Sequence, residues 1–149
     1  MSYTAIVAGL LAQLRAVSGY SSDNCKERND LVLQNGVSKA IIVQMLGTPR
    51  EEFLAMGSSE RLVTWAFLLE NYVALADFDQ GVTDLNTELD AIYTRLRQYP
   101  RLGGVSGVFV TQVTGIERPE MDIVIGGLRF AWQKISLAVQ EHVSETDAE

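Results

Sequence analysis

The side chains able to do chemistry are few, and none stands in a recognisable constellation. His142 is the one histidine of the chain. A metal centre around it would need several carboxylates, because zinc-like ions draw N, S and O donors from different side chains at once. No carboxylate spacing in the sequence supplies them. Glu141 adjoins it, but serine hydrolases of the elbow type present their nucleophile on a G-x-S-x-G turn, and none occurs here. The expected place for His142 is the exposed end of an element. Asp77 and Asp79 are a carboxylate pair just before a helical pattern, and capping explains them at less cost than acid–base catalysis. Cys25 is the single cysteine, beside Lys26 and Arg28, which favour a thiolate, yet no histidine lies nearby in sequence to serve as base. The glycines of Leu102-Gly103-Gly104-Val105-Ser106-Gly107 lack the G-x-G-x-x-G spacing of a dinucleotide loop and read as a turn. The sequence therefore assigns no catalytic, cofactor-binding or metal-binding residue and implies no cofactor, and the chain reads as a non-enzyme.

What remains are residues suited to contact. Trp65 and Trp132 lie in strand-like apolar runs, where core packing is the default reading, with partner binding as the alternative. Phe53 and Phe78 lie in connections and are the better candidates for exposed aromatics. Two irregular stretches, 20–36 and 48–59, carry the polar and charged residues expected at a partner-binding surface: Asp23, Lys26 and Arg28 in the first, and Arg50, Glu51, Glu52 and Phe53 in the second.

These residues need elements to hold them. Tyr3, Ile6, Val7, Leu10, Leu11, Leu14 and Val17 follow helical spacing and predict an amphipathic helix over 3–17. Residues 39–46 predict a strand apolar on both faces. Residues 48–59 predict a connection, in which 51–56 could make one helical turn. Residues 61–75 predict a long strand rich in aromatic and β-branched side chains, with Asn71 on its apolar face marking a bend or an end. Val82, Leu85, Leu89, Ile92, Leu96 and Tyr99 predict a helix over 80–99. It has Asp77 or Asp79 as cap, acidic residues early and Arg95 and Arg97 late, and Pro100 ends it. Residues 105–114 alternate weakly, and Gly107 points to a bulge or a close backbone approach. Residues 116–122 read as a loop, and 123–125 as a short apolar piece.

The segment 129–143 fits a strand or a helix by periodicity alone. Two helices already need a sheet to cover, and three strand candidates need a partner, so it is read as the closing strand. Its apolar residues switch from even (Leu128, Phe130, Trp132) to odd (Ile135, Leu137, Val139) positions, which predicts a bulge or twist near Gln133-Lys134. Residues 144–149 have little to bury and are expected to fray. The resulting expectation is one α+β domain over 1–149, with a mainly antiparallel sheet of about four strands and two helices packed on one face.

With 149 residues the chain suits a single domain. The formal net charge of -7 argues against a free nucleic-acid-binding module, which must first neutralise phosphates. It is compatible with a wall that DNA passes without sticking. One cysteine excludes an internal disulfide framework and fits a reducing compartment. The apolar start of the first helix has no basic region before it, unlike a signal peptide. No apolar run approaches the ~20 residues needed to span a bilayer, so no membrane partner is expected.

The order of elements resembles tail terminator (tail completion) proteins of long-tailed bacteriophages over nearly the whole chain. The local segments that carry the likeness are Val113-Thr114-Gly115-Ile116-Glu117-Arg118-Pro119 and Arg129-Phe130-Ala131-Trp132-Gln133-Lys134-Ile135-Ser136-Leu137. The resemblance implies a structural virion protein, assembled in the host cytoplasm and resident at the head-proximal end of the tail. It implies a homo-oligomeric ring, typically a hexamer, that caps the tail tube, stops its polymerisation and joins the head. Its partners would be further copies of itself, the tail tube protein and a head-completion or neck protein, with DNA crossing the lumen without specific binding. That family has no catalytic motif to carry over. The alternatives are another head–tail connector or neck protein, or a small ligand-binding or enzymatic α+β domain.

Overall fold

A computed structural model describes residues 2–27, 38–54, 59–119, 122–125 and 127–144. Helix α1 (Ser2–Arg15) buries Ile6, Val7, Leu10 and Leu14, one stripe at helical spacing. Helix α2 (Phe78–Gln98) buries Leu85, Ile92 and Leu96. Asp77 caps α2, accepting from the Gln80 backbone N–H at 2.8 Å, and Arg95 and Arg97 sit in its last turn, so both ends complement the helix dipole.

Among the described residues seven strands form one sheet: β1 (Cys25–Glu27), β2 (Lys39–Met45), β3 (Arg50–Phe53), β4 (Glu60–Ala74), β5 (Val108–Glu117), β6 (Ile123–Ile125) and β7 (Leu128–Ser144). The path is β1-β2-β4-β7-β5, with β3 on β4 and β6 on β7. The pair β1–β2 is parallel and all others are antiparallel. This corrects the expected sheet of about four mainly antiparallel strands: the sheet is larger and mixed. The three extra strands are three or four residues long: β1 lies in the irregular stretch 20–36, β3 in the connection 48–59, and β6 is the short apolar piece 123–125. Two of them continue a flank strand after a short excursion. β2 and β3 both pair along β4, separated by the bend at Gly47-Thr48-Pro49, and β5 and β6 both pair along β7. Residues 51–53 are therefore strand rather than helical turn. Of the stretch 20–36, residues 25–27 are strand and 28–36 lie outside the described residues, as do 145–149 of the expected frayed end.

The ladder between β4 and β7 runs in one register from Glu60↔Ser144 to Ala74↔Phe130. It passes Asn71↔Gln133 and Glu70↔Lys134 without a shift, so the predicted bulge at Gln133-Lys134 is absent and Asn71 neither bends nor ends its strand. The change of apolar parity has another cause: the sheet has two covered faces at this end. Odd residues of β4 and β7 face the helices, where Phe67, Leu69, Ile135, Leu137 and Val139 pack with Ile6, Leu10, Leu14, Ile92 and Leu96. On the opposite face Phe130 packs with Ile42 and Tyr72, and Trp132, Ile123 and Ile125 lie against them. The bulges lie instead in β5, between Val108 and Val110 and between Val113 and Gly115. Gly107 makes the close approach expected of it. A Cβ there would stand 2.8 Å from the His142 carbonyl oxygen, and the His142 N–H donates to the Gly107 carbonyl at 2.8 Å.

Candidate functional site

Polar side chains on the helix-covered face line up into a continuous network, buried at its centre and reaching the surface at both ends. Lys39, at the start of β2, donates to the Ser18 carbonyl and to Glu88 Oε1, each at 2.9 Å. Glu88 falls on the inward stripe of α2, three residues after Leu85, so its carboxylate must find donors indoors. Its second oxygen accepts from the Tyr20 hydroxyl at 2.7 Å. Tyr20 in turn accepts from Asn71 Nδ2 at 3.0 Å. Asn71 Oδ1 accepts from Gln133 Nε2 at 2.9 Å, and the same amide donates to the Leu85 carbonyl at 3.0 Å. Gln133 Oε1 accepts from Arg118 Nε and Nη2, and Arg118 reaches on to Asn86 Oδ1 at 2.8 Å. The chain of contacts thus joins β2, β4, β7 and both ends of the α2 middle. Burial, then the hydrogen bond and charge of Glu88, push the Tyr20 hydroxyl far above its ordinary range, while Asn71 pulls the other way. Such a saturated network fixes the helix on the sheet and leaves no group poised to react.

The residues singled out by sequence are spread over the molecule. His142 is exposed near the end of β7, with Nε2 3.9 Å from Glu60 Oε1. Asp77 and Asp79 serve the start of α2. Cys25 is fully buried in β1, and burial pushes its thiol up to about 11 against the opposing pull of Arg15, so Lys26 beside it does not make it a thiolate. Asp23 is in an exposed turn, with its N–H donating to Ser21 Oγ at 3.2 Å, and Lys26 is half-buried in β1. Arg28 and the side chain of Phe78 lie outside the described residues. Trp65 donates to the buried Glu141 carboxylate at 2.8 Å and its ring lies 5.7 Å from Tyr3, while Trp132 stacks on Tyr72 at 5.5 Å. Both tryptophans are half-buried and pack against the core. Among the described residues no group of three His, Cys, Asp or Glu could hold a metal, and no helix is long and apolar enough to cross a membrane.

The structure does bring Arg50, Glu51, Glu52 and Phe53 together as β3, four exposed residues along an outer border of the sheet. Arg50 pairs with Glu52 at 2.7 Å, Arg61 approaches Glu51 at 4.0 Å, and the Arg61 guanidinium lies 5.2 Å above the Phe53 ring. Phe53 is 69% exposed and Leu54 beside it 49%. At the opposite end of the β4–β7 ribbon, the β6–β7 hairpin exposes Val124 by 67% and Leu128 by 40%. Arg129 and Asp122 pair at the base of this hairpin, which holds the Asp122 carboxyl below the usual range. The ribbon of fifteen pairs separates the two ends by about 50 Å.

Sequence reasoning missed the internal network. Its signal was present: Asn71 and Gln133 each interrupt an apolar face at the position where the two strands meet, and Glu88 interrupts the stripe of α2. No protein family model matches this chain, and no curated protein matches it.

Proposed function

We propose that the chain is a structural assembly protein of a long-tailed bacteriophage, a tail terminator that closes into a ring on the finished end of the tail tube. The observation that carries this reading is the placement of the exposed apolar residues. Phe53 and Val124, the two most exposed large hydrophobic residues described, sit at opposite ends of one long ribbon. A terminator must bind the last tube ring with one surface and offer a different surface to the neck, and two unlike ends of a stiff body meet that need. The internal network and the unbroken ladder make the ribbon stiff. Among the described residues β3 pairs only with β4 and β5 only with β7, which leaves two borders for neighbours side by side, and a cyclic ring uses such head-to-tail contacts. The acidic balance of -7 suits a lumen that DNA crosses without adhering.

Deleting the gene from the phage tests the reading. The expected result is tails of uncontrolled length that fail to join heads. Tails of normal length that still join heads would overturn it. Purified protein that binds DNA-filled heads and ignores tail tubes would identify a head-completion protein instead.

A further inference from the structure

Thr111 sits in β5 opposite Val139, on the helix-covered face, and is 5% exposed. Its Oγ1 is buried and has no hydrogen-bond partner among the described residues. Buried hydroxyls are ordinarily paired, so an orphan marks a place where something else completes the structure. Thr111 lines a cleft of about 230 Å³ between α2 and β5, with Tyr93, Leu96, Arg97, Gln112 and Val113. The Arg97 guanidinium lies 4.2 Å above the Tyr93 ring and has no ion pair among the described residues. A hydroxyl donor and a guanidinium lining one cleft make a receptor for a carboxylate. The cleft follows a border of the sheet, because β5 ends the strand path among the described residues.

A carboxylate of matching placement stands on the other border. β3 pairs only with β4 among the described residues, and its four residues are all exposed. Cross-strand partners share a face, so Glu51, opposite Val63, projects to the same helix-covered face as Thr111. The strands β4 and β5 are each antiparallel to β7, and β3 is antiparallel to β4. In two copies whose sheets keep the same face and direction, β3 of one therefore meets β5 of the next antiparallel. The regular run Val110–Val113 between the two bulges of β5 is as long as β3.

We propose that β3 of one copy adds to the open edge of β5 in the next, seating its Glu51 carboxylate between the Thr111 hydroxyl and the Arg97 guanidinium. The contact rests on the ring reading above and names how the ring closes: strand addition supplies the backbone hydrogen bonds, and the carboxylate in its cleft sets the register. It is heterologous, with a different surface on each copy, as a cyclic ring requires.

Charge exchange tests it, read by sedimentation of the protein alone and bound to purified tail tubes. Arg97→Glu and Glu51→Arg should each weaken self-association at least tenfold, and the double variant should recover to within about threefold of the original. A mixture of Glu51→Cys and Thr111→Cys proteins should oxidise to dimers containing one chain of each, because cross-strand Cβ atoms stand within disulfide reach. Rings that form normally with Arg97→Glu, or a double variant as dissociated as either single one, would overturn this contact and leave the ring reading intact. An unsubstituted protein that associates neither alone nor on tubes would overturn both.

Discussion

Asn71 and Gln133 face each other across the β4–β7 ladder, and the Gln133 amide donates to the Asn71 oxygen at 2.9 Å with both side chains fully buried. Each also serves a third element, Asn71 through Tyr20 and Gln133 through Leu85 and Arg118. The pair therefore couples the centre of the sheet to α2 by hydrogen bonds placed among apolar neighbours.

Removing either partner strands buried polar groups. Asn71→Ala and Gln133→Ala should each cost about 1–3 kcal/mol, the penalty of an unsatisfied buried donor or acceptor. Because they share one bond and one network, the double variant should depart from additivity by about 0.5–3 kcal/mol. Urea unfolding of the four proteins measures this, and strict additivity would mean that the pair is not coupled.

The thiol of Cys25 should make the protein sensitive to alkali. Burial raises it from the ordinary 9.0 to about 11, so the folded state keeps a proton that the unfolded chain releases. Stability from this group is complete below pH 9 and is lost as pH rises towards 11, with a limiting slope of about 1.4 kcal/mol per pH unit. Cys25→Ala should flatten the stability profile between pH 9 and 11 while lowering its level. An unchanged slope would show that the thiol titrates normally.

Gly107 holds φ +84 with the His142 carbonyl oxygen 2.8 Å from where a Cβ would lie. Gly107→Ala combines a left-handed backbone with a clash against main chain. It should cost about 1–3 kcal/mol, in the range of a single strained backbone position. Gly104 also has positive φ but nothing within 4 Å, so Gly104→Ala should cost less. Thermal unfolding of the two variants ranks them, and the reverse order would remove the contact from the explanation.

The elements α1, α2 and β4 are legible because each carries one period over many residues, whereas β7 changes parity and is a strand only because the other elements need a partner. The stripe Ile6, Leu10, Leu14 and the run Val63 to Val73 leave little choice. The three short strands were not legible, since three or four residues such as Cys25–Glu27 or Arg50–Phe53 contain at most two repeats of any period. The parity change in β7 is visible in the sequence, but its cause is not. A bulge and a second covered face both shift apolar residues by one, and only the packing of Phe130 against Tyr72 and Ile42 separates them. Among the candidate contact residues, Arg50, Glu51, Glu52 and Phe53 form one exposed strand. Cys25 is buried and the two tryptophans are half-buried against the core, held by long-range neighbours that local sequence does not display.

The most direct test of the terminator reading is electron microscopy of tail tubes polymerising from purified tube protein with and without this chain. A closed ring at one end of each tube, with elongation arrested at that end, is the predicted result. Tubes that keep growing at both ends, with the protein free in solution, would contradict it.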